Sequence, residues 1–120
     1  MNNYEKLLNM KFKDLYDLYL KKVIRKGRSK EELDEIIDWL FSYSVEDINK
    51  MIAQEVSSEF FFTSYKNLNE NSHLIKGVIC GIRVEEIEDP LIRHIRYLDK
   101  LIDELSKGKS IDKIKRVPKS

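Results

Sequence analysis

Cys80, the only cysteine, lies between Gly77 and Gly81, and Arg83 and the acidic run Glu85, Glu86, Glu88 and Asp89 follow within nine residues. Glycines let a substrate approach closely, and a nearby helix start lowers a thiol pKa. The segment therefore carries the residue types for thiol or acid–base catalysis, with Cys80, Arg83 and Glu86 as candidates and His73 and His94 as possible bases. No spacing fixes either histidine near the thiol. A lone cysteine following Val78 and Ile79 also reads as a small core hydrophobe, and on that reading it is buried and inert.

Metal chemistry finds less support. Two histidines twenty-one residues apart and one cysteine match no ligand spacing, and the run Glu85 to Asp89 lacks the glycine and alternation of a calcium loop. The reading calls for no metal and no cofactor. Next to the acidic run, Arg93, Arg96 and Tyr97 sit off the apolar stripe of a long helix, which makes them candidates for ligand or partner contact. The acidic residues Glu31, Asp34, Glu35 and Asp38 form a stripe that demands cations. The basic groups from Lys21 to Arg28, at the end of the preceding helix, are the expected source.

The elements that must position these residues are legible. Phe12, Leu15, Tyr16, Tyr19 and Val23 share one helical face that ends before Gly27, and Ser29 with Glu32 spells a capping box for a second helix bearing Leu33, Ile36, Ile37 and Leu40. Ser44 with Asp47 opens a third. Asp89 as N-cap and Pro90 at the first position open the long helix, whose stripe runs Leu91, Ile95, Leu98, Ile102, Leu105 before Gly108 stops it. The middle is ambiguous. Short helices are predicted over 57–65 and 73–80, the alternative being a small two-stranded ribbon made from 59–65 and 77–84. One further helical turn is predicted at Ser110–Ile114.

Composition bounds the functional classes. The chain has 120 residues, 42% of them hydrophobic, which suits a single domain over 1–116 with a frayed tail at 117–120. Net charge is only +1, but the first thirty residues carry nine basic and three acidic groups, the next thirty one and nine, and the last thirty nine and four. Basic ends thus flank an acidic middle. A helix-turn-helix is disfavoured, because the candidate recognition helix begins Val45-Glu46-Asp47 where phosphates would lie. A single cysteine, no apolar run long enough for a membrane and a start without a signal-peptide pattern point to a cytoplasmic protein.

Two segments, RKGRSKEELDEIIDWLFSYS at 25–44 and GVICGIRVEEIEDPLIRHIRYLDKLIDELSKGK at 77–109, resemble the two halves of an uncharacterised prokaryotic family, domain of unknown function 2200. The resemblance runs from about Met10 to Ile114 and implies no activity. It departs at Phe41-Ser42-Tyr43, where the family pattern carries Thr-Gly-Tyr.

These readings combine into an all-α domain of about five helices, with the long C-terminal helix packed on an N-terminal helical hairpin. The leading functional expectation is a non-enzymatic protein acting through a helical surface, by self-association or with a protein partner. The alternatives are an enzyme or ligand-binding protein with a site near Cys80, Arg83 and Glu85–Asp89, and nucleic-acid binding through basic ends that merge in space.

Overall fold

The computed structural model describes residues 4–118 of the chain. Among them, seven helices form: α1 (Tyr4–Asn9), α2 (Phe12–Arg25), α3 (Lys30–Phe41), α4 (Val45–Ala53), α5 (Ser58–Thr63), α6 (Pro90–Ser106) and α7 (Ile111–Ile114). A two-residue antiparallel hairpin, β1 (Val78–Ile79) with β2 (Ile82–Arg83), completes the set. The anticipated mostly helical domain is therefore observed, with the short α1 added before it.

The helix starts are made by the caps that the sequence spells. Ser29 accepts from the Glu32 amide at 3.2 Å while the Glu32 carboxylate accepts from the Ser29 amide at 3.0 Å. Ser44 and Asp47 repeat the exchange at 3.1 and 2.9 Å. Asp89 takes the Leu91 and Ile92 amides, and Pro90 follows at the first helical position, where its missing N–H costs nothing.

α6 crosses both α2 and α3. Its Ile95, Leu98, Leu101, Ile102 and Leu105 are sealed against Phe12, Leu15 and Val23 of α2 and Leu33, Ile36, Ile37 and Leu40 of α3. Each such side chain contributes about 1.5–3 kcal/mol on burial, so this layer dominates the fold. An aromatic cluster closes one end: Phe12 stacks on Phe61 at 4.2 Å, and Phe41 meets Phe61 and Phe62 edge-on at 5.4 and 5.9 Å.

The helix predicted over 57–65 forms as α5, which excludes the alternative strand at 59–65: Ser57 caps it, which turns Phe61 and Phe62 into the core and leaves Phe60 outside. The ribbon lies wholly within 77–84, folded back on itself. A helix over 73–80 is also excluded, since only a 3₁₀ turn at Ser72–Leu74 forms before the backbone changes hand. Gly77 has φ +114°, and Cys80 and Gly81 have φ +52° and +78°, the pair of positive values that a two-residue hairpin turn requires.

Two loops are pinned. Ser42 closes α3 in the left-handed region at φ +62°, so the turn survives the loss of the family's glycine; its hydroxyl donates to the Asn67 carbonyl at 3.0 Å. Asn69 then donates its amide and side chain to the Leu40 and Trp39 carbonyls. At the other end, α7 buries Ile114, and Arg116 grips the buried Glu104 with two bonds of 2.8 Å. Of the expected tail, Val117 is exposed, and residues 119 and 120 lie outside the described residues.

Candidate functional site

The hairpin turn carries Cys80 into solvent, which overturns the expectation of a buried thiol. The physical reason is conformational: a residue at positive φ in a two-residue turn points away from the sheet it joins, whatever its hydrophobicity. Cys80 makes no hydrogen bond among the described residues, and neither histidine reaches it. Arg83 lies on the exposed β2, 3.7 Å from Glu85, and Glu86 sits exposed in a 3₁₀ turn at Val84–Glu86. Cys80, Arg83 and Glu86 are thus not assembled into a catalytic group. Arg96 lies within electrostatic reach of Cys80: burial pulls the Arg96 pKa down, but Tyr4, Asp99 and, least of all, Cys80 together push it above its usual value.

The titratable residues converge elsewhere. His73, from the turn after the polar loop, and Glu85, from the turn before α6, face Arg93, His94 and Tyr97 on the first turns of α6 across a cleft of about 320 Å³. The spacing of α6 explains the grouping, because Arg93, His94 and Tyr97 lie within one helical turn at the edge of the apolar stripe. Tyr97 was expected to be reachable, yet it is 6% exposed, its ring 6.0 Å from and stacked on that of His94. Burial raises the Tyr97 pKa, opposed by the charge and hydrogen bond of Arg93. Burial, aided by Arg93, lowers the pKa of His94, so its imidazole is held neutral. Glu85 accepts the Gly77 amide at 3.0 Å, and chiefly that bond keeps its carboxyl below the usual range.

Arg96 serves the fold rather than the cleft. Its Nε donates to the Tyr4 hydroxyl at 2.8 Å, and its guanidinium lies 5.1 Å from the centre of the Tyr4 ring and 3.3 Å from Asp99, which ties α1 to α6. Its candidacy as a ligand contact gives way to this anchoring role.

The acidic stripe of α3 is only half neutralised, and by other cations than expected: Asp34 and Glu35 are paired, while Glu31 and Asp38 have no ion-pair partner among the described residues. Lys30 pairs with the buried Asp34 at 2.6 Å, Tyr16 donates to the same carboxylate, Lys115 reaches Glu35 at 2.5 Å, and Arg28 holds Glu32. The Arg28 bond is the main reason that the Glu32 pKa falls to about 2. The end of α2 instead turns toward α6. Lys22 and Lys107 share the carboxylate of Asp103 at 3.9 and 3.0 Å, while Arg28 donates to the Leu105 and Lys109 carbonyls at 3.2 and 2.8 Å. The C-terminal end of α2 and the segment that follows α6 therefore meet at one pole, and Arg25 and Lys26 from the first and Lys113 from the second have no ion-pair partner among the described residues. Sequence reasoning saw both basic ends but carried no signal that Asp103 would join them.

The sequence profile of domain of unknown function 2200, described as an uncharacterized protein conserved in bacteria, matches residues 6–116. The chain belongs to this family. A crystal structure of the uncharacterized protein SP1917 superposes with a TM-score of 0.88 at 39% identity, covering 95% of this chain and 92% of that one. No curated protein matches. The family assignment brings the fold and no activity, and among the described residues no helix is long and apolar enough to cross a membrane.

Proposed function

We propose that the protein is a non-enzymatic docking module of the cytoplasm whose basic pole engages an acidic segment of a partner protein. The observation that carries this reading is Asp103, whose carboxylate lies 3.9 Å from the Lys22 ammonium of α2 and 3.0 Å from that of Lys107, just past the end of α6, so that two basic segments share one face. Cations at the C-termini of α2 and α6 also complement the helix dipoles. Arg25, Lys26 and Lys113 exceed that requirement, and Ile24, next to Arg25 and Lys26 in the chain, stands 54% exposed. An apolar side chain amid cations, and a carboxylate at their centre, suit a protein segment of mixed acidic and apolar character better than a phosphate backbone. A helix lying in a groove of DNA gains no support, because the acidic start of α4 is unchanged by the fold.

The test is fluorescence anisotropy with two probes of equal charge, a labelled Glu/Leu peptide and a short DNA duplex, over a range of salt. Expected is saturable peptide binding that weakens with salt and is lost when Arg25, Lys26 and Lys113 are replaced by glutamate. Tighter binding of the duplex transfers the pole to nucleic acid. Binding of neither probe refutes the proposal.

A further inference from the structure

The surface of α3 carries the charge opposite to that of the basic pole. Glu31, Asp34, Glu35 and Asp38, with Lys30 and Val45, line a cleft of about 300 Å³. Lys30 pairs with Asp34 and Lys115 with Glu35, while Glu31 and Asp38 are exposed and have no ion-pair partner among the described residues. Four carboxylates against two cations leave the cleft anionic. Like charges also repeat at four-residue spacing, Glu31 with Glu35 and Asp34 with Asp38, so added cations relieve a repulsion that the fold itself leaves standing. Val45, in the lining, is 50% exposed and offers an apolar contact to the stem of a long basic side chain.

We infer that the acidic partner of the basic pole is a second copy of this chain, with Arg25 and Lys26 of each copy entering the α3 cleft of the other and the exposed Ile24 and Val45 adding apolar contact. Complementarity selects this occupant. The pole offers Arg25, Lys26 and Lys113 without ion-pair partners and an exposed Ile24, and the cleft offers Glu31 and Asp38 without partners and an exposed Val45. That is the mixed acidic and apolar surface the pole calls for. The two patches also adjoin on one molecule: α3 begins four residues after Lys26, and Lys115, two residues beyond Lys113, reaches Glu35 at 2.5 Å. Adjoining patches of opposite sign pair twice about a two-fold axis, pole to cleft and cleft to pole, so the assembly closes as a dimer. The inference rests on the docking reading of the pole and names its partner.

The test is sedimentation equilibrium of the full chain from micromolar to millimolar concentration, at low and at high salt. Expected is a monomer–dimer equilibrium that weakens with salt. Arg25→Glu with Lys26→Glu, and separately Glu31→Lys with Asp38→Lys, should each weaken dimerisation roughly tenfold or more, because like charges then face each other in both contacts. Mixing the two variants sets opposite charges across both contacts again, and a heterodimer should return. All four side chains are exposed and lie outside the core, so the exchange leaves the fold in place. A natural chain that stays monomeric throughout, or variants that stay monomeric when mixed, overturns the second copy as partner. A mass that climbs past two chains overturns the two-fold arrangement. The Glu/Leu peptide judges the pole apart: peptide binding by a chain that never dimerises refutes only the self-pairing, whereas a chain that does neither refutes both readings.

Discussion

Replacing Ser42 by glycine and, separately, by alanine isolates the strain stored where α3 ends. Ser42 sits at φ +62°, where a residue with a Cβ carries about 1–2 kcal/mol relative to glycine. Both replacements lose the hydroxyl bond to Asn67, which is exposed and worth about 0.5 kcal/mol, the low end of the usual range. Alanine keeps the strain, whereas glycine removes it and returns roughly 0.5–1 kcal/mol to the freedom of the unfolded chain. The balance makes Ser42→Gly more stable than Ser42→Ala by about 0.5–1 kcal/mol, and close to the natural protein. Urea unfolding with a common slope reads the difference, and a thermal midpoint gap of roughly 2–5 °C should accompany it. An alanine variant as stable as the glycine variant would falsify the claim that this position is held left-handed.

Three further outcomes follow from the same structure. Arg116→Gln should cost about 3 kcal/mol in urea unfolding, because Glu104, only 7% exposed, is left with Lys109 at 3.7 Å as its remaining partner; a loss under 1 kcal/mol would show that the carboxylate finds water. Stability should fall in two stages on acidification. His94 has a folded pKa below its unfolded 6.5, so the unfolded state takes up the proton first and stability drops as pH falls below about 6.5. Glu32, with a folded pKa of about 2, withdraws its contribution between about 4.5 and 2. His94→Gln should abolish the upper stage alone, and an unchanged profile in that variant would contradict the buried neutral imidazole. Finally, Cys80→Asn should stabilise by about 0.5 kcal/mol, since Asn-Gly is the preferred pair for this turn, and the natural thiol should label in the native protein without denaturant; protection from labelling refutes its exposure.

The two parts of the molecule differ in how far local rules reach. Residues 12–53 and 89–108 were readable from the chain alone, because capping pairs such as Ser29 with Glu32 act over three residues and the stripe Leu91 to Leu105 repeats with the helix itself. The family likeness was readable for the same reason, being carried by those stretches. The segment 73–84 was not. Three phenylalanines in a row also suit a strand, and the stacking of Phe61 on Phe12 with its edge-on contact to Phe41 decides for the helix expected there, α5. Cys80 likewise has an apolar neighbourhood in sequence, while its exposure follows from a turn whose backbone sign no composition rule reports.

Function separates along the same line. The sequence by itself determined that the chain has basic ends, an acidic middle and two histidines too far apart to cooperate locally. Tertiary structure decided that Asp103 draws Lys22 and Lys107 together and that α6 sets His94 across from His73. Lys22 and Asp103 stand 81 residues apart in the sequence and the histidines twenty-one, and they meet because burying α6 against α2 and α3 fixes those distances, whereas the charges themselves are too weak to choose a partner before the core forms.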